Sequence, residues 1–267
     1  MMENAWYIYA LAIFAGIVAG IINTLAGSGS VVTLPMLVLL GLPANVANAT
    51  NRVGVAIQNV VGIATFQRSG KMNLAGGLWL VLPSLPGAVV GAWIASILDK
   101  DQMNLALGIV MVIMLFVVLF NPQKWLRDHS EVKEGRPAWW ALLLFFFIGV
   151  YGGFIQAGVG VFLLAAMVLG LGYSLVHANA IKLMIVLSVT LVALAVFLIT
   201  PDLIDWPLGL LMAVGQSIGA WGAAKYMMTA KNAAVWVRRL LIAVIVYSIF
   251  KFFGLIDPLT AWIGGLF

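Results

Sequence analysis

Cysteine is absent from the 267 residues, which excludes disulfides, thiol nucleophiles and thiolate metal sites. Histidine occurs only as His129 and His177, so a histidine metal cage is not expected, and no cofactor is implied. Charge is also scarce. Asp, Glu, Lys and Arg make up 9% of the chain, against about 25% in a soluble domain. No long soluble domain is evident, and the longest polar stretch, 121–137, reads as a linker. The start lacks the Lys/Arg-rich opening of a signal peptide, and its apolar run is long for one, so it is read as a retained span. No nucleotide-binding motif is present, and no nucleic-acid partner is implied. The net charge of +5 reads as a topological bias of loops.

What is abundant is apolar surface. Hydrophobic residues make up 64% of the chain, and several runs exceed the ~20 residues that cross a bilayer. The solvent is therefore lipid. Five hydrophobic elements are expected in residues 1–120, near 6–26, 30–40, 46–66, 74–98 and 103–120. Five more are expected in 138–267, near 138–157, 161–171, 175–199, 206–228 and 234–253. The second element of each half is about 11 residues long, or ~17 Å at 1.5 Å per residue, about half a hydrocarbon core.

The halves are written alike. Gly16, Gly20, Ile22 and Asn23 align with Gly149, Gly153, Ile155 and Gln156. After a two-residue gap, Gly27 and Gly29 meet Gly158 and Gly160, and Ala47-Asn48-Ala49 meets Ala178-Asn179-Ala180. Gly87, Gly91, Ala92 and Trp93 fall on Gly215, Gly219, Ala220 and Trp221. Duplicated apolar halves interrupted by glycine at corresponding places are the pattern of a secondary transporter. Basic residues gather at Arg68 and Lys71, in the 121–137 linker, and at Lys225, Lys231, Arg238 and Arg239. The positive-inside bias puts these loops in the cytoplasm. An odd number of crossings per half follows, with the two repeats inverted and both termini outside. The expected fold is an all-α polytopic membrane protein. It is built of two inverted-topology repeats of about five hydrophobic helices each, with short or re-entrant helices after Gly-rich turns.

Irregular backbone at membrane depth is tolerated only against protein or a wet cavity. The turns around Gly27, Ser28 and Gly29, and around Gly158 and Gly160, each precede a short element. The amides that open such an element, with its dipole behind them, suit an anion; close helix packing through small residues is the competing reading. Arg52 and Lys182 lie inside apolar runs, one residue apart in repeat register. Intramembrane cations usually face a cavity or an anion, although a long side chain can also snorkel to the headgroups. Asn48, Asn51 and Asn179 stand beside them, Gln58 and Asn59 are further amides inside the 46–66 apolar run, and buried amides need partners. Asn23 and Gln156 are repeat partners near the turns, with Tyr151 close by. His177 is a candidate for carrying a proton, or else an interfacial histidine. No Asp or Glu lies inside an expected span, which argues for an anionic substrate and leaves little acid–base chemistry for an enzyme.

The AGSGS turn followed by TLPMLVLLGLP and ANATN, recurring as QAGVG and HANAIK, resembles the sulfite exporter TauE/SafE family, or TSUP family of anion permeases. The resemblance covers essentially the whole chain. It implies transport of sulfite, sulfonates and related anions across the bacterial inner membrane. Ser28, Ser30 and Val159 stand where family members are often richer in glycine. The reading is a secondary carrier, exporting a small sulfur-containing anion such as sulfite or an organosulfonate by alternating access in the lipid bilayer, with a homo-oligomer compatible with it. The alternatives are a passive anion channel and a membrane assembly or sensory protein that transports nothing.

Overall fold

In the computed structural model the described residues are 6–26, 28–68, 70, 74, 76–120, 137–223 and 233–255. Gly27, the 121–136 linker, the 224–232 segment with Lys225 and Lys231, Lys71 and both chain ends lie outside them. The first half contributes α1 (Trp6–Ala26), α2 (Ser30–Leu39), α3 (Ala44–Arg68), α4 (Leu78–Ile97) and α5 (Lys100–Phe120). The second contributes α6 (Trp139–Phe154), α7 (Val159–Ala165) with a π-helical turn at Ala166–Gly170, α8 (Leu175–Ile199), α9 (Trp206–Gly222) and α10 (Ala233–Phe252).

Among the described residues, α4, α5 and α8 are long and apolar enough to cross a membrane by length and composition. The short second elements are present. α2 has 10 residues, and α7 has 7 before its π turn. Two boundaries move for local reasons. α4 begins at Leu78 rather than near 74 because Gly76 has φ +69°, a left-handed turn that a helix cannot contain. α6 stops at Phe154 rather than near 157 because Gln156 has φ +67°.

The halves share one interior. α1 packs along α9, and α6 packs along α4, as the two most extensive helix contacts. The glycines that align between the halves make both contacts. A Cβ on Gly20 would stand 2.2 Å from the Gln216 carbonyl oxygen, and one on Gly219 would stand 2.1 Å from that of Ile17. In the other pair, a Cβ on Gly91 would stand 1.9 Å from the Val150 oxygen, and one on Gly153 would stand 2.2 Å from that of Ala88. Small residues let helix backbones approach where lipid supplies no hydrophobic drive between helices. The first helix of each half thus seats on the fourth helix of the other. α3 and α8 pack on each other and on α9 and α4, while α5 pairs with α10. Met103, Leu107, Met111 and Met114 of α5 bury fully against residues such as Leu241 and Ile245 of α10. Large apolar side chains point outward, Trp139 and Ile199 among them. Such a surface would aggregate in water and is the ordinary outer face of a protein in lipid.

α3 is the exception. Its 25 residues include Asn48, Asn51, Arg52, Gln58 and Asn59, every one buried. Protein surrounds the first part of this helix. Asn48, Asn51, Arg52 and Asn59 each make a hydrogen bond, while Ile57 and Val60 farther along are exposed.

Candidate functional site

Both helix breaks border one cavity of about 210 Å³. Ser28, Gly29 and Ser30 line it from the first break; Gln156, Gly158, Val159 and Gly160 line it from the second. α3 adds Gln58 and Asn59, α8 adds Asn179 and Lys182, and Asn23 projects from the end of α1. Val55, Val61, Leu183 and Val186 supply apolar wall. Gln156 is 2% exposed whereas Trp221, also on the wall, is 57% exposed. Thr65 is exposed too. The mouth therefore lies at the C-terminal ends of α3 and α9, the end that carries Arg68.

Lys182 is the cation among the described lining residues, and no carboxylate stands with it. Its Nζ donates to Asn179 Oδ1 at 2.9 Å, and Asn179 Nδ2 donates to the Leu175 carbonyl at 3.0 Å. The asparagine anchors the ammonium from one side and leaves it capacity for two further hydrogen bonds, since an ammonium carries three donors.

The two turns differ in why they need glycine. Gly29 has φ −57°, so its need is room: a Cβ would stand 2.6 Å from Asn23 Cβ and 2.9 Å from the Ala19 oxygen. Gly158 has φ +70°, and a Cβ there would also meet the Met114 side chain at 2.2 Å. The expectation that these turns hold open backbone amides needs correction, because several are committed to the chain. Gly29 N–H donates to Asn23 Oδ1 at 3.3 Å. Val31 and Val32 donate to the Ser28 and Gly29 carbonyls, and Val159 and Val161 to those of Gln156 and Gly158. Ligand capacity rests more on side chains than the spacing implied. Tyr151 braces the second turn rather than facing a ligand. Its hydroxyl donates to the Ala157 carbonyl, and its own carbonyl accepts from Ile155 and Gln156.

Eight of the expected site residues line the cavity: Asn23, Ser28, Gly29, Gln156, Gly158, Gly160, Asn179 and Lys182. Asn48, Asn51, Arg52 and His177 are not among its lining residues, and Gly27 lies outside the described residues. His177 is buried beside Tyr173, with ring centroids 5.0 Å apart. Gln58, Asn59, Thr24 and Trp221 also line the cavity; of these, only the polar pair on α3 stood out in the sequence, as amides inside an apolar run.

Arg52 does something else. It is 0% exposed, so it does not snorkel. Its Nη1 donates to the Gly152 carbonyl at 2.5 Å and to Gln156 Oε1 at 2.7 Å, and its Nη2 donates to the Gly153 carbonyl at 2.9 Å. One turn earlier, Asn48 Nδ2 donates to the Phe154 carbonyl at 2.8 Å. These three carbonyls belong to the last turn of α6, where a helix leaves its oxygens unpaired and its dipole favours a cation. The guanidinium also lies 5.7 Å from the Phe197 ring centroid. Asn51 Oδ1 accepts from Thr33 Oγ1 at 2.5 Å, tying α3 to α2. Asn48 and Arg52 thus form a clasp that closes α3 onto the broken end of α6.

The family described as sulfite exporter TauE/SafE matches residues 12–252. Among curated proteins, the probable membrane transporter protein ORF9 of a Sinorhizobium species is 29% identical, over 99% of this chain and all of the relative. A probable membrane transporter protein of Haemophilus influenzae is 27% identical over 82% of this chain and 85% of its own length. The probable membrane transporter protein YfcA of Escherichia coli K12 is 27% identical over 78% of this chain and 76% of its own length. No solved structure matches. A match that runs from α1 into α10 across both helix breaks, in a membrane-embedded helical fold whose relatives carry transporter names, means that this chain belongs to the sulfite exporter TauE/SafE family of membrane transporters.

Proposed function

We propose that this transporter is a secondary carrier that exports a small sulfur-containing anion, such as sulfite or an organosulfonate, across the bacterial inner membrane. The observation that carries this reading is the cavity itself: Lys182, unopposed by a carboxylate among the described lining residues, stands with Asn179, Asn23, Gln58, Asn59 and Gln156 where both broken helices meet. A fixed cation neutralises the anion, and the neighbouring amides bond its oxygens without competing charge. About 210 Å³ holds a small oxyanion with several waters, each needing roughly 10–15 Å³. Asn23, Ser28, Gly29, Gln156, Gly158, Gly160, Asn179 and Lys182 make up the binding surface, and Gly27 extends the first turn.

In this reading the two halves are inverted repeats that rock against each other along the glycine-lined contacts, with both termini outside and the mouth facing the cytoplasm. The clasp at Asn48, Asn51 and Arg52 then seals the external end. A seal on one side supports a carrier over a passive channel, which needs a continuous path. The drive is an ion or anion gradient.

The test is thermal stabilisation of the purified protein across sulfite, thiosulfate, methanesulfonate, sulfate and carboxylates. A ligand at 100 times its Kd stabilises by about 2.7 kcal/mol. The sulfur oxyanions are expected to raise the melting temperature above the carboxylates; an equal response to every salt sinks the proposal.

A further inference from the structure

Gln156 is where the cavity and the clasp meet. It lines the cavity, yet its Oε1 accepts from Arg52 Nη1 at 2.7 Å and its Nε2 donates to Thr190 Oγ1 at 2.6 Å. Thr190 in turn donates to the carbonyl of Val186, another wall residue, at 2.6 Å. No other described wall residue is bonded to Arg52. Arg52 stands thirteen residues before Thr65 on α3, ~20 Å along the helix from the mouth.

The backbone of Gln156 is unusual as well. With φ +67° it is one of two non-glycine residues in the left-handed region among those described. Its position in the repeat belongs to Asn23, which is helical. A residue held in that region persists where its surroundings over-determine it. Here the holding contacts are the two side-chain bonds to α3 and α8. A glutamine amide offers one more N–H than Thr190 uses and one more lone pair than Arg52 uses. Its second N–H can meet an oxyanion in the cavity, and a turn of the amide toward that oxyanion carries Oε1 away from Arg52.

We infer that Gln156 is a positioning residue that couples occupancy of the cavity to release of the clasp. This rests on the carrier reading above. An oxyanion beside Lys182 draws the Gln156 amide toward the cavity. Arg52 then loses one of its three acceptors, and α3 loosens from the end of α6 on the side away from the mouth. The substrate's oxygens thereby supply the differential contact that any ligand-driven shift between two states requires.

The test uses the absence of native cysteine. Ala44 is 1% exposed and lies four residues before Asn48, hence on the same face of α3 one turn farther from the mouth. Two purified chains are compared, Ala44→Cys and Ala44→Cys/Gln156→Asn. Asn tolerates the left-handed backbone and shortens the amide by one methylene. Methanesulfonate is the probe, because sulfite consumes maleimide. It is expected to raise the maleimide labelling rate of the first chain by about fivefold or more, the low end of coupling between linked sites, and of the second by less than about twofold. It should still raise the melting temperature of both, by less in the second because Gln156 belongs to the binding surface, so labelling is compared at methanesulfonate concentrations that saturate each chain. Gln156→Gly, which deletes the amide and removes the backbone strain, should uncouple in the same way.

An equal labelling response in both chains, or none in the first, with binding retained, overturns this inference alone. Failure of methanesulfonate to stabilise either chain overturns the carrier reading and this one with it.

Discussion

The two halves place related residues at corresponding points and use them differently. In the first half, Asn48 and Arg52 spend their donors on three carbonyls at the end of α6. In the second, Asn179 aligns with Asn48 and Lys182 with Asn51, yet the pair bonds to itself and faces the cavity. Leu183 occupies the position equivalent to Arg52 and forms wall. The difference is one of side-chain chemistry. A guanidinium is a planar fork that can serve two carbonyls and a glutamine at once, whereas an ammonium is a compact, rotatable point charge. The fork suits a closed joint, and the point charge suits an open site. In the proposed carrier, the joint between α3 and α6 is the sealed end, and Lys182 with Asn179 on α8 is the receptive one.

The largest effect is expected from breaking the sealed side. Arg52→Met leaves the Gly152 and Gly153 carbonyls and the Gln156 amide short of a donor. An unsatisfied buried group costs about 1–3 kcal/mol, so a loss of roughly 3 kcal/mol or more should appear as a large drop in melting temperature in detergent. Arg52→Lys should recover part of it, since one carbonyl can still be served. An Arg52→Met chain that melts like its parent would show that the clasp carries no stability.

Next come the glycine contacts that hold the halves together. Gly91→Ala and Gly219→Ala place a Cβ at 1.9 and 2.1 Å from backbone oxygens, which no side-chain rotation can relieve. Overpacking typically costs about 1–3 kcal/mol, and the two single variants should be similar, because the contacts are reciprocal. A loss confined to one of them, read as melting temperature, would break that equivalence. Gly158→Ala should be similar in size, through its φ of +70° and the Met114 contact. Ser28→Ala should cost less than Gly158→Ala, because it neither adds a Cβ nor forces a left-handed backbone. Equal losses at Gly158 and Ser28 would mean that the turn geometry is not the constraint.

Much of this was legible in the residues, and the limits are physical. The break at Gly158 could be read because a glycine pair divides a long apolar run from a short one at matching points of both halves, and the short second helices followed from counting residues between breaks. The aligned glycines of α1, α4, α6 and α9 marked something shared, and the structure makes it the contact between halves. Lys182 with Asn179 was found by the cost of intramembrane polarity, which is independent of the fold. That same cost marked Arg52 but could not say what satisfies it. Its acceptors lie about a hundred residues away, at a helix end whose unpaired carbonyls have no side-chain signature. The commitment of the turn amides to nearby acceptors was hidden for a like reason, since every residue has an N–H and only conformation decides its partner. The start of α4 shifted because Gly76 turns left-handed, a choice that its apolar neighbours do not reveal.

Lys182 decides between the two uses most directly. Thermal melting of the unaltered chain and of Lys182→Met, each with and without sulfite, separates binding from folding. A charge-assisted contact is worth about 1.5–3 kcal/mol, so affinity should fall roughly 10- to 100-fold. The account predicts that sulfite raises the melting temperature of the unaltered chain and leaves that of Lys182→Met nearly unmoved, with both melting alike in its absence. An equal rise in both would contradict it.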